Sequence, residues 1–316
     1  MRILVTGASG FIGSALIKYL GDFPGLFVVG MLRSLGGNYE NCPFEYRLSD
    51  IANLDETDID LSDIDVIIHT AGRAHIINEK SSNSLQEFRN INTFGTLELA
   101  TLAAKSGVKR FVFLSSIKVN GENNALGVPF SIDSKEDPQD AYGISKYEAE
   151  IGLKKISAET GLEVTIIRPP MVYGPGAKGN LNLLMKALSL RLPLPFALVK
   201  NNLRSMIGLD NLLSVTKLCA LHPKAANQTF LISDKHDLST SELILLLGHS
   251  INKPVILFKV PIFLLLLIAK IFRIDNKIGK IVGTLQVDIS YTCNHLGWEP
   301  PFSVEDGFKK ISTKRG

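Results

Sequence analysis

The sequence predicts an α/β fold: a doubly wound, parallel sheet with helices on both faces, joined to a smaller, discontinuous C-terminal lobe. Three observations predict it. Short apolar runs rich in branched residues, at 3–5, 26–32, 66–69, 111–114 and 164–167, read as buried strands. Segments of helical periodicity separate them, and strands alternating with helices make a parallel sheet covered on both sides. The texture then changes at Arg168-Pro169-Pro170-Met171-Val172-Tyr173-Gly174-Pro175-Gly176, too dense in Pro and Gly for one helix or a central strand.

The first strand runs into Thr6-Gly7-Ala8-Ser9-Gly10-Phe11-Ile12-Gly13, and Phe11, Ile12, Ala15, Leu16, Tyr19 and Leu20 then recur at helical spacing. Strand, glycine turn and helix are contiguous. Gly7 permits the tight turn, Gly10 lets backbone N–H groups approach a pyrophosphate, and Gly13 lets the helix pack closely on the strand. The helix N-terminus then faces the anion with its free N–H groups and dipole. This predicts a Rossmann-type dinucleotide site, with Gly7, Ser9, Gly10, Phe11, Ile12 and Gly13 around the phosphates.

The second strand closes on Leu32-Arg33-Ser34, where NAD-binding units usually carry an acid for the ribose hydroxyls. Arg33 would attract a 2′-phosphate that an acid would repel, so Arg33 and Ser34 lean the cofactor to NADP, with NAD as the alternative. Asp50 and Ile51 are expected beside the adenine. Thr70-Ala71-Gly72 ends the strand at 66–69 with small residues where backbone meets cofactor. His69 reads as a packing residue, because no metal spacing joins it to other ligands.

The chain has 316 residues, 45% hydrophobic and 21% charged, enough for one large α/β domain and a lobe. We place the dinucleotide-binding domain at 1–168 with a return segment near 205–235, and the lobe at 169–204 and 236–316. Net charge is +3 with Lys and Arg scattered, which leaves no nucleic-acid footprint. Cys42, Cys219 and Cys293 are odd in number and far apart, so neither a disulfide framework nor a metal site is expected. A strand starting at the second residue leaves no room for a signal peptide, and a cytoplasmic location is the expectation. Residues 260–269 are uncharged between Lys259 and Lys270, too short to span a bilayer. A buried helix of the lobe is the expected reading, weak membrane-surface association the alternative. Further expectations are a helix over 181–190, a helix opened by Ser239 with Glu242 at capping-box spacing, and a short helix after Trp298.

Tyr142 and Lys146 are four apart on an expected helix and share one face. A free Tyr, with a pKa of about 10, is a poor acid or base at neutral pH. A nearby ammonium would lower it, making Tyr142 a proton donor to or acceptor from a substrate oxygen. Ser116, at a strand's C-terminal end where ligands sit, could hydrogen-bond the same oxygen.

On these residues the chain resembles the extended short-chain dehydrogenase/reductases that act on nucleotide sugars. The loop at 6–13, the Ser116-Tyr142-Lys146 set, Asn92 with Thr93-Phe94-Gly95-Thr96, and the segments 168–176 and 201–210 carry the resemblance, which covers nearly the whole chain. It implies a lobe that binds the nucleotide diphosphate and a UDP-sugar as partner. Asn92, Ser115 and Pro169 join the cofactor contacts, and Arg73, Lys118, Met171, Asn180 and Arg204 the substrate contacts. Many relatives carry Asn near the position of Met171, which leaves Asn180 and Arg204 for the uracil and phosphates. Segments 114–122 and 201–205 resemble a branch from bacterial surface-polysaccharide synthesis. The expected activity is reduction at C4 of a UDP-4-keto-6-deoxy-N-acetylhexosamine. The alternatives are a UDP-glucose or UDP-N-acetylglucosamine 4-epimerase and, from another class, a non-catalytic NAD(P)-binding redox sensor, which has no need of Ser116, Tyr142 and Lys146 together. The oligomer is left open, with a homodimer as the expectation.

Overall fold

A computed structural model describes residues 1–34, 44–54, 59–74, 84–177, 180–272 and 275–312; Cys42 lies outside them. The strands are β1 (Arg2–Thr6), β2 (Phe27–Leu32), β3 (Glu45–Leu48), β4 (Val66–His69), β5 (Arg110–Leu114), β6 (Glu163–Arg168), β7 (Met171–Tyr173), β8 (Met206–Gly208) and β9 (Thr229–Leu231). Seven form one sheet in the order β3-β2-β1-β4-β5-β6-β9, every pair parallel, while β7 and β8 pair separately. The helices are α1 (Phe11–Gly21), α2 (Ser84–Arg89), α3 (Gly95–Lys105), α4 (Ala141–Thr160), α5 (Asn180–Ser189), α6 (Leu209–Leu221), α7 (Thr240–Ser250), α8 (Ile262–Ile271), α9 (Asp275–Val282), α10 (Ser290–Leu296) and α11 (Val304–Ser312).

Both sheet faces are dry because the strands carry apolar residues at consecutive positions, which a two-residue repeat sends to opposite sides. Ile3, Val5, Ile68 and Val112 meet Leu16 and Leu20 of α1 and Leu212 and Val215 of α6. Leu4, Ile67, Phe111 and Phe113 meet Leu99 and Ala103 of α3 and Ala149 and Leu153 of α4. A third cluster gathers Leu181, Met185, Ile244, Leu247, Val304 and Phe308 away from the sheet. There Tyr173 stacks on Phe308 with ring centroids 4.4 Å apart and donates to Asp234 at 2.7 Å. Asp234 also accepts from Gly208 N–H and from Asn211 Nδ2, tying β8 and α6 to the segment after β9.

Helix α7 begins in a full capping box, Ser239 and Glu242 each accepting the other's backbone N–H. Helix α8 forms, but it is not the buried helix that its composition suggests. Only Leu265 and Ala269 are buried, and the other side chains face solvent. Residues four apart share one ridge, and the lobe supplies a surface for that ridge alone.

Arg168, the largest fully buried side chain, ends β6. Its Nε and Nη2 donate to the two carboxylate oxygens of Glu150 on α4, at 3.0 and 2.5 Å, and both side chains are 1% exposed. Nη1 donates to Asn120 Oδ1 and Nη2 donates also to Glu136, each at 3.1 Å. Ser115 Oγ, just past β5, donates to the same Glu150 at 2.5 Å. Breaking such a pair strands a buried charge. Glu150→Ala should lose about 3–5 kcal/mol of stability, read as a shifted urea midpoint at neutral pH. An unchanged midpoint would mean that Glu136 satisfies the guanidinium alone.

Candidate active site

The glycine loop leaves β1 and turns directly over the end of β4. Gly7 has φ +65°, and a Cβ there would stand 2.8 Å from the Ala71 backbone. A Cβ on Gly13 would collide with the Gly7 carbonyl oxygen. These approaches, not flexibility, require glycine at both positions. Gly10 caps α1 with no side-chain cap and no acid in the first turn, so the amides of Phe11, Ile12 and Gly13 are left for an anion. That donor set fits a dinucleotide's pyrophosphate. Arg33 and Ser34 lie exposed just past β2. Asp50 caps the short turn Ile51–Asn53 by accepting from Ala52 N–H at 3.1 Å, and Ile51 is buried beside Gly95.

Past β4, a polar chain runs through the core. Ala71 N–H donates to Thr6 Oγ1, which lies 2.8 Å from His69 Nδ1; His69 Nε2 is 3.0 Å from Thr96 Oγ1, which donates to the Asn92 carbonyl. With both hydroxyls so engaged, His69 is neutral with its proton on Nε2. Burial, aided by Lys146, pushes its pKa down to about 3. His69 is thus a packing residue that also orders the strand end. Asn92 sits in a π-helical turn, Asn90–Phe94, between α2 and α3. Its side chain accepts from Arg73 N–H at 2.8 Å and donates to the Arg73 carbonyl and Ser145 Oγ. Ser145 Oγ in turn donates to the Tyr142 carbonyl. The strand-end backbone and the first turn of α4 are therefore held by one side chain.

Ser116 follows β5 and caps a short turn, Ile117–Val119, by accepting from Lys118 N–H. The Pro169 carbonyl, past β6, accepts from Ile117 N–H at 3.0 Å. Tyr142 and Lys146 face this edge from α4, which begins at its Asp140 cap. Lys146 is buried, donates to the Leu114 carbonyl at 2.9 Å and lies 4.5 Å from the Phe113 ring centroid. A Cβ on Gly72 would stand 3.3 Å from its Nζ. Burial pulls the Lys146 pKa down to about 7, against the attraction of Glu150.

Tyr142 departs from expectation. Burial pushes its pKa up to about 12, opposed by its hydrogen bond with Ser116, and Lys146 does not lower it. The ammonium is spent on the Leu114 carbonyl, whereas removing the phenolate from water is the larger effect.

The expected substrate residues do not all converge. Arg73 pairs with Glu87 at 2.5 Å, and Lys118 pairs with Asp140 and Glu122 while lying 5.9 Å from the Tyr142 ring centroid. Met171 is exposed in β7, and the Asn180 side chain lies outside what the structure describes. Arg204 donates to the Gly283 carbonyl; burial lowers its pKa against the pull of Glu122. Ser115 turns to Glu150. Glu150, Glu122 and Lys280, which pairs with Glu122 at 3.0 Å, border the site without having been singled out in the sequence. No group of His, Cys, Asp and Glu among the described residues could hold a metal.

The fold and its glycine loop are those of a dinucleotide-dependent enzyme. Residues 3–204 match the NAD dependent epimerase/dehydratase family, and the chain belongs to that family. It is 42% identical to a UDP-glucose 4-epimerase of Vibrio cholerae over 98% of this chain and 94% of that one. It is 27% identical to the N-acetyl-alpha-D-glucosaminyl-diphospho-ditrans,octacis-undecaprenol 4-epimerase of Escherichia coli O157:H7, over 98% of this chain and 93% of that one. Among solved structures it is similar to the Thermotoga maritima UDP-glucose 4-epimerase with UDP-glucose, at TM-score 0.78 and 25% identity, covering 99% of this chain and 97% of that one.

The depressed pKa of Lys146 has a consequence for stability. Between about pH 7 and the ordinary lysine range, the unfolded chain holds a proton that the folded one has released. Folded stability of the cofactor-free protein should therefore rise with pH in that window, by at most about 1.4 kcal/mol per pH unit for one proton. Urea titrations at stepped pH measure it. Lys146→Met should flatten the rise, and an equal slope in both proteins would mean that another group supplies it.

Proposed function

We propose that this chain is a 4-epimerase of UDP-hexoses that keeps NAD bound through the cycle. The observation that carries the reading is the convergence of Ser116, Tyr142 and Lys146 on the strand ends beside the glycine loop. The near-full-length similarity to a UDP-glucose 4-epimerase supports the epimerase over the 4-reductase expected from the sequence. An epimerase restores its cofactor each cycle, so a retained NAD takes the place of the exchanged NADPH that Arg33 suggested. A non-catalytic sensor would leave Ser116, Tyr142 and Lys146 without a task.

Tyr142 Oη takes the proton of the C4 hydroxyl as C4 is oxidised, and returns it when the sugar is reduced on its other face. Ser116 Oγ holds the same oxygen. Lys146 holds the nicotinamide ribose, and Arg204 offers its fork of donors to the diphosphate. NAD bound against the loop would supply the acceptor and donor for the C4 hydride.

The test is to supply UDP-glucose and UDP-N-acetylglucosamine without added cofactor, then the 4-keto-6-deoxy sugar with NADPH. Appearance of the 4-epimers is the expected result; NADPH oxidation without epimers would restore the reductase. Tyr142→Phe should retain NAD and lower turnover by about a hundredfold. Normal turnover in that variant would remove Tyr142 from the reaction.

A second reading is favoured by one feature. The Escherichia coli relative is named for a sugar diphosphate on a polyprenol, and α8 here exposes apolar side chains on the lobe beside the site. Supplying a polyprenyl-diphosphate N-acetylhexosamine beside the UDP-sugars separates the two substrates.

A further inference from the structure

Helix α8 is apolar all round except for Lys270 in its last turn, and such composition in a water-soluble fold belongs to a buried helix. Yet Phe263 is 72% exposed, Phe272 70% and Ile271 68%, with Leu266, Leu267 and Ile268 also outward. Exposed side chains of this size on adjoining turns form a continuous patch, a feature that marks an interaction site. The ten residues of α8 are about 15 Å long, half of what a bilayer's hydrocarbon core requires. No helix among the described residues is long and apolar enough to cross a membrane.

The charge along this stretch of the chain has one sign. No Asp or Glu occurs from Leu243 to Phe272, whereas Lys253, Lys259 and Lys270 do, all three exposed. Lys259 and Lys270 stand at the two ends of the apolar helix. Apolar side chains outward between flanking lysines are the composition of a helix lying in an anionic bilayer interface. The patch is also close to the chemistry. Helix α8 packs on α9, whose Lys280 pairs with Glu122, and Glu122 pairs with the Lys118 that overlies the Tyr142 ring.

We propose that α8 docks this protein on the surface of an anionic lipid bilayer, with Phe263, Leu267 and Ile271 entering the headgroup boundary and Lys259 and Lys270 meeting lipid phosphates. Docking holds the mouth of the site one helix away from the membrane. The inference goes beyond the proposed epimerisation and stands without it, because it concerns the protein and lipid alone.

The test is flotation of the full chain with vesicles of phosphatidylcholine alone or mixed equally with phosphatidylglycerol. The chain should float with the mixed vesicles, less with phosphatidylcholine, and less again at high salt. The triple variant Phe263→Ser, Leu267→Ser, Ile271→Ser should bind at least about tenfold more weakly, with unchanged melting and unchanged UDP-sugar turnover. Lys259→Glu and Lys270→Glu should each weaken binding by about fivefold or more. Phe263→Trp gives an independent reading: its emission should shift to the blue on adding mixed vesicles. No flotation and no blue shift would overturn the proposal. So would a dimer in sedimentation that the triple variant abolishes without any vesicle binding, since a second copy would then cover the face.

Discussion

The buried pair between Arg168 and Glu150 is the constraint on which the site depends. Tyr142, Lys146 and Glu150 follow one another at four-residue spacing, so they lie along one face of α4. Glu150 binds the end of β6 through Arg168 and the end of β5 through Ser115. Two strand ends and one helix are thereby locked in register, and Ser116, next to Ser115, is placed opposite Tyr142. A buried ion pair is weak as a source of net stability, because desolvation offsets its attraction. Its use here is geometric: any slip of α4 would leave a guanidinium or a carboxylate unpaired in the core. Asn92 performs the same service from the other side, joining the strand-end backbone at Arg73 to the first turn of α4.

Much of this could be read in the sequence where the physics is local. The central strands announce themselves as short apolar runs, and the loop announces itself through its glycine spacing, although only the approach of Gly13 to the Gly7 carbonyl is local while that of Gly7 is to the distant Ala71 backbone. The capping box at Ser239 and Glu242 is equally local. The lock was not legible: Arg168 and Glu150 are ordinary charges until the sheet brings them together, and nothing in their spacing marks them as partners. β3 leaves no signal in the sequence, because Glu45-Tyr46-Arg47-Leu48 is the polar edge of the sheet and lacks an apolar run. Helix α8 misled for a different reason. Its composition shows that it avoids water, but not how many of its sides the lobe can cover.

The electrostatics of the centre follow from the same enclosure. The strand ends and α4 bury Tyr142 and Lys146 together, and burial favours the neutral form of each, raising the phenol and lowering the ammonium. The two shifts draw the groups apart, the phenol rising to about 12 while the ammonium falls to about 7. A phenol that stays protonated near neutrality is a ready donor to a carbonyl oxygen, while a positive charge brought against it would favour the phenolate and make it an acceptor. Reversible chemistry at one carbon needs both roles from one atom. A tyrosine held protonated by burial takes the accepting role only when a positive charge is brought against it. The scaffold that excludes water from these groups is therefore also what tunes them.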